Sequence, residues 1–214
     1  MEQNVAAHLE LLLKRYPVLE PLRKELENAY ECLTACYENG GKLLVAGNGG
    51  SCADAEHIVG ELMKGFVLPR RLDAAACDAL RAADATLGAA LSDGLQGGLP
   101  AIALTCHTAL NTAYINDVSA DMMFAQQLSV LGKPGDVFLG ISTSGNSLNV
   151  RYAAVSARAK GMKVIVLSGK SGGTLKELAD VNLIMPCNET YQIQELHLPV
   201  YHALCLMLEQ HFFG

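Results

Sequence analysis

Two glycine–serine loops in this chain each stand between a short, continuously apolar run and a helix-like run. The first, Gly47-Asn48-Gly49-Gly50-Ser51, follows Lys42-Leu43-Leu44-Val45-Ala46. The second, Ser142-Thr143-Ser144-Gly145-Asn146-Ser147, follows Val137-Phe138-Leu139-Gly140-Ile141. A strand that is apolar on both faces has to be covered on both faces, and the strand–loop–helix order supplies the cover. Ala101–Leu104, Val164–Leu167 and Val181–Met185 are further runs of the same kind. Helix-periodic segments alternate with them near 53–65, 120–131, 148–160, 175–179 and 191–213. The expected fold class is therefore α/β, a three-layer αβα sandwich around a parallel sheet of about five strands.

The chain organises around that sheet as one expected domain, 1–214, a length that supports a sizeable core. Residues 1–39 read as N-terminal helices, separated at Pro17 and stopped by Asn39-Gly40-Gly41. The alanine-rich segment 68–99 reads as one or two inserted helices, closed by Gly97-Gly98 and Pro100. A long helix, about Tyr191 to Phe213, ends the chain.

Charge and composition exclude several classes. The net charge is -6, and basic residues cluster no further than Arg70-Arg71, so no nucleic-acid partner is expected. No apolar run approaches a membrane span, and Met1-Glu2-Gln3-Asn4 does not begin a signal peptide. The 7 cysteines are an odd number without a Cys-x-x-Cys pair, which reads as reduced thiols used as small core residues in the cytoplasm. Cys52, beside the first loop, is the best placed of them for a nucleophile, but nothing marks a base for it.

Amides and hydroxyls crowded at a helix N-terminus suit an anion, most often phosphate. Both loops lie at the carboxyl ends of expected strands, where open α/β sheets bind ligands. Neither is a P-loop, since no Gly-Lys-Ser/Thr ends it, and Cys52 stands where a dinucleotide fingerprint needs its third glycine. The hydroxyls of Ser142, Thr143, Ser144 and Ser147 make the second loop a neutral phosphate cradle, with Ser147 placed to cap the next helix. On the helix after the first loop, His57 and Glu61 are four residues apart and share a face, as metal ligands or as acid and base. The last helix adds Gln194, Glu195, His197 and His202 to an otherwise apolar segment.

Gly47-Asn48-Gly49-Gly50-Ser51-x-x-Asp54-Ala55-x-His57 with Glu61 resembles the signature of the phosphoheptose (sedoheptulose 7-phosphate) isomerases, of the sugar isomerase (SIS) domain superfamily. Gly135 to Val150, and Gln194-Glu195-x-His197 with His202, are similar to two further blocks of that family, in the same order. The resemblance implies an aldose–ketose isomerase acting on a phosphorylated sugar. It implies that Asn48, Gly49, Gly50 and Ser51 line the sugar, that Ser142, Thr143, Ser144 and Ser147 hold the phosphate, and that Asn116, Asp117 and Gln194 contact substrate. It also implies one zinc per subunit on His57, Glu61, Gln194 and His202, with Glu61 as base and His202 as acid, in a homotetramer with shared active sites. The alternatives are a non-catalytic SIS protein that binds a phosphosugar or regulates replication initiation, and an isomerase of another sugar phosphate. The presence of Glu61, Gln194 and His202 together favours the enzyme.

Spacing bears on the assembly independently. Gln194 and His202 are eight residues apart, roughly 12 Å of rise on a straight helix, too far for one ion. Either Pro199 kinks or restarts the helix, or the two residues serve the site from different subunits. Three departures from the family pattern are the long 68–99 segment, Tyr191-Gln192, and Cys106-His107, where His107 is expected to be structural.

Overall fold

The computed structural model describes residues 1–214. Five strands, β1 (Leu43–Gly47), β2 (Ala101–Ala103), β3 (Val137–Ile141), β4 (Lys163–Gly169) and β5 (Val181–Met185), form one sheet in the order β2-β1-β3-β4-β5. Every neighbouring pair is parallel; Leu43 stands beside both Ala101 and Val137. The expected sandwich and its five strands are borne out.

The two-residue period of a strand divides the core into two layers. Leu43, Val45, Val137, Leu139, Ile141, Ile165 and Leu167 enter one buried cluster, while Leu44, Ala46, Phe138, Val164 and Val166 enter the other. The first layer is covered by α1 (Gln3–Arg15), α2 (Arg23–Glu38), α3 (Gly50–Met63) and α9 (Thr190–Phe213). The second is covered by α7 (Met123–Leu131) and α8 (Leu148–Ala159).

The inserted segment is two helices, α4 (Ala74–Ala83) and α5 (Ala85–Gly94), joined at Asp84, whose carboxylate accepts from the Thr86 and Leu87 amides. They pack on each other so closely that a Cβ on Gly88 would lie 2.1 Å from the Leu80 carbonyl oxygen. Gly88 is the one buried residue of the pair. The insertion leaves and returns through a closed neck: the Gly97 amide donates to Arg70 O, the Leu99 amide to Leu62 O, and the Gly65 amide to Gln96 Oε1.

One helix has no counterpart in the sequence reading. This is α6 (Thr108–Asp117), which lacks a 3.6-residue apolar stripe and buries only Asn111. At the other extreme, α9 runs from Thr190 to Phe213 with Pro199 inside it, so Pro199 does not restart the helix.

The deepest imidazole is structural. His197 is fully buried under the sheet's carboxyl end, and its Nε2 faces Ser168 O at 3.4 Å. Burial pushes it down to about 4, the Ser168 contact only partly opposing this. Between that value and the ordinary 6.5 the unfolded chain binds the proton that the folded one refuses, so stability falls as pH drops through this window. The expected loss is about 3 kcal/mol, from roughly 1.4 kcal/mol per unit of difference. Denaturant titrations from pH 7 to 4 should show it, and His197→Gln should flatten it; an equally steep variant would refute the assignment.

Candidate active site

The order β2-β1-β3 places β1 between neighbours reached by crossovers in opposite directions. The crevice outside the carboxyl ends of β1 and β3 is the natural ligand site of such a sheet. Both glycine–serine loops flank this crevice, because one follows β1 and the other follows β3. They are joined across it: Asn48 Nδ2 donates to Asn149 Oδ1 at 2.9 Å, and Asn149 Nδ2 donates back to Asn48 Oδ1 at 2.8 Å. Asn149 had no assigned role from sequence, since its partner is 101 residues away.

In the second loop, Ser147 occupies the N-cap position of α8 but makes no side-chain cap. Its hydroxyl pairs instead with that of the buried Ser142, 2.9 Å away. The Leu148 and Asn149 amides at the start of α8 are left free for an anion, while the Val150 amide donates to Asn149 Oδ1 at 2.9 Å. The loop is braced from behind by the turn after β4. Gly145 sits at φ +65, and a Cβ there would lie 1.9 Å from Gly172 O. Asn146 Oδ1 also accepts from the Thr174 amide at 3.1 Å.

In the first loop, Gly49 takes φ +57 and leads into α3 with no side-chain cap. A Cβ on Gly50 would meet the Gln194 amide nitrogen at 2.6 Å. Gln194 therefore lies at the start of α3. Ser51 is 3% exposed and packs beneath the loop against Gly47 rather than lining the crevice.

Two turns further along α3 and α9 a second constellation forms. His57 Nε2 is 3.1 Å from Glu61 Oε1 and 3.5 Å from His202 Nε2. The two imidazoles meet edge to face, with centroids 4.9 Å apart. The other Glu61 oxygen faces Lys64 Nζ at 3.2 Å. Burial lowers the His202 pKa and the neighbouring His57 lowers it further, against an opposing effect of Glu61. His202 is accordingly a neutral imidazole near pH 7, able to donate from one nitrogen and accept at the other.

Of the four residues grouped from sequence, the structure thus brings together His57, Glu61 and His202 and sets Gln194 apart. Gln194 and His202 stay two turns apart along α9, facing Gly50 and His57, which are about two turns apart on α3. Asn116 and Asp117 end α6, exposed, with Asn116 Nδ2 donating to Asp117 Oδ1 at 2.8 Å. Cys52 Sγ faces the Glu56 carboxylate at 3.5 Å, and burial together with that neighbour raises its pKa, which is the reverse of an activated thiol. His107 pairs with the buried Gln127, which also bonds Leu104 O, and this is a structural role.

His57, Glu61 and His202 supply the two nitrogens and one carboxylate of a common catalytic zinc set. Ligand atoms about 2.0–2.1 Å from a tetrahedral ion stand about 3.3–3.4 Å from each other, and the two short separations here, 3.1 and 3.5 Å, bracket that span. No three His, Cys, Asp or Glu side chains are already closed around one point, Glu61 being shared with Lys64. The donor chemistry and two of the three edges fit the ion.

Comparison with known proteins agrees with this geometry. The SIS domain family model matches residues 9–77 and 74–169. The phosphoheptose isomerase of Geotalea daltonii is 40% identical, over 92% of this chain and 91% of its own. That of Citrifermentans bemidjiense is 38% identical, over 100% and 96%. Among solved structures, the phosphoheptose isomerase of Francisella tularensis superposes with a TM-score of 0.76 at 31% identity, over 96% of each chain. That of Neisseria gonorrhoeae gives 0.72 at 35% identity, over 94% of each chain.

Proposed function

Because this chain belongs to the phosphoheptose isomerase family of SIS-domain proteins, we propose that it converts sedoheptulose 7-phosphate to D-glycero-D-manno-heptose 7-phosphate through an enediol. The observation that carries this reading is the meeting of Glu61 and His202 at His57, each within 3.5 Å of its Nε2, on the helix that begins at the first loop and on the helix beside it.

The phosphate end of the sugar rests on the second loop, where the Ser142–Ser147 hydroxyls and the Leu148 and Asn149 amides of α8 face it. The first loop, held to the second by the Asn48–Asn149 pair, lines the chain of hydroxyls. The reactive end then lies over Glu61. The Glu61 carboxylate takes a proton from C1, and the electrons released form the C1–C2 double bond. His202 gives a proton to the carbonyl oxygen at C2, completing the enediol. Glu61 returns its proton to C2 while His202 recovers one from the C1 hydroxyl, leaving the aldose. When bound by His57, Glu61 and His202, zinc supplies Lewis-acid polarisation of the carbonyl.

We read residues 1–214 as one SIS unit and the working form as a homotetramer with shared sites. Support comes from Gln194 and His202, which lie eight residues apart on one continuous α9 and face different residues of α3, Gly50 and His57. It comes also from exposed apolar side chains around α6 and α7, among them Ile115, Val118, Met122 and Val130. A cytoplasmic setting accords with seven free cysteines and with the lack of any helix long and apolar enough to cross a membrane.

Purified protein incubated with sedoheptulose 7-phosphate should form the aldose, and a chelator should slow it. Absence of turnover with and without added zinc would overturn the enzymatic reading in favour of phosphosugar binding alone. Light scattering on the same sample tests the assembly: a fully active monomer would remove the shared sites.

A further inference from the structure

Behind His57, on the side away from Glu61, lies a buried polar chain that the proposed chemistry leaves unused. Tyr201 Oη is 3.0 Å from His57 Nδ1 and 3.3 Å from Asp54 Oδ1. Tyr201 is 2% exposed, and its ring meets the His57 ring edge to face at 5.5 Å. Asp54 precedes His57 by three residues on α3, so both point to the α9 side, and Asp54 Oδ2 is buried without a partner.

We propose that Tyr201 and Asp54 are positioning residues that fix the ring orientation of His57 and prepare it for a metal. Without metal, His57 Nε2 faces the acceptor-only Glu61 carboxylate at 3.1 Å and donates a hydrogen to it. A metal on Nε2 would need that nitrogen free of its hydrogen and the hydrogen of the neutral imidazole on Nδ1. Tyr201 is placed for that state: its phenol oxygen can accept from Nδ1–H at 3.0 Å and give its own single hydrogen to Asp54 at 3.3 Å. A hydrogen bond to the far nitrogen is the usual means of orienting a ligating imidazole and raising its basicity. Tyr201 is placed for this by its neighbour in sequence: the Tyr201 and His202 rings cross at 88°, so one turn of α9 presents both to His57.

This inference rests on the metal-assisted reading above, so its test includes readouts other than turnover. Nitrogen NMR of histidine-labelled protein with zinc added reports the His57 Nδ1–H. In the wild type it should be protected from exchange with solvent, and Tyr201→Phe, which keeps the ring and loses only the hydroxyl, should lose that protection. Zinc affinity, measured by competition with a chromophoric chelator using the metal alone, should fall about 10–100-fold in Tyr201→Phe. Asp54→Asn should fall in the same direction. Tyr37→Phe serves as control, because the Tyr37 hydroxyl is buried without a partner and touches nothing in the site. An Nδ1–H equally protected in Tyr201→Phe, or a zinc affinity unmoved in that variant, would overturn the proposal. A wild type inactive on sugar but losing Nδ1–H protection and zinc affinity in Tyr201→Phe would sink the proposed reaction and leave the positioning role standing.

Discussion

Glu61→Gln should lower kcat by about 10²–10⁴, the range that a positioned general base contributes, while sugar-phosphate binding stays close to that of the wild type. The substitution is nearly isosteric and removes the carboxylate that takes the proton. Binding should survive because the phosphate cradle is on another element: the second loop is braced by Gly172 and Thr174, not by α3. The loss of the Lys64 pair matters little, since Lys64 is 60% exposed and such pairs are worth about 0–1 kcal/mol. The main-chain carbonyl of Glu61 keeps its bond from Arg70, so the end of α3 is unchanged. Titration calorimetry with substrate and steady-state kinetics separate the two effects. Near-wild-type kcat would remove Glu61 from its role as base.

The second large effect is expected far from the crevice. Glu209→Gln should destabilise the fold by about 3–5 kcal/mol, the usual cost of breaking a buried ion pair from one side. Glu209 and Arg70 both have fully buried side chains, 2.7 Å apart. Burial by itself would raise the Glu209 pKa; hydrogen bonds from the Phe66 and Val67 amides and from Arg70 more than offset it and hold the group below its ordinary value. The Leu68 amide is a further donor to the same carboxylate at 3.2 Å. Arg70 in turn donates to the carbonyls of Leu62 and Glu61 at 2.6 and 2.9 Å. A cation on the last carbonyls of α3 is well placed against the helix dipole. The pair thus ties the C-terminal end of α3 to α9, the two helices that carry Glu61 and His202. Replacing both partners by Met should not restore stability, because the Phe66, Val67 and Leu68 amides would remain without acceptors at about 1–3 kcal/mol each. Urea denaturation reads both variants. A loss under about 1 kcal/mol for Glu209→Gln would show that the clamp does not hold the fold together.

Much of this architecture was legible along the chain. Each buried strand is a run of apolar residues too short for a helix, and each functional loop carries glycine and hydroxyl residues where only they fit. The insertion was legible as helical from its alanine content, though not as a hairpin, since that depends on Gly88 allowing close contact with Leu80. Helix α6 was not, because it lies on the surface with only Asn111 buried, so no apolar period marks it. Ser147 shows the limit of local rules. It stands where a cap belongs, but Ser142 offered its hydroxyl a partner, and of the first-turn amides only that of Val150 found a side chain, that of Asn149.

Sequence alone therefore determined the sheet, the two loops and the pairing of His57 with Glu61, because each depends on residues close together in the chain with a fixed two- or four-residue period. Only the tertiary structure decided which distant groups join them. The parallel order of α3 and α9 brings His202 and Tyr201 to His57 and sends Gln194 to Gly50. The order β2-β1-β3 brings Asn149 to Asn48. Packing of the whole core sets those distances, and no local spacing encodes them.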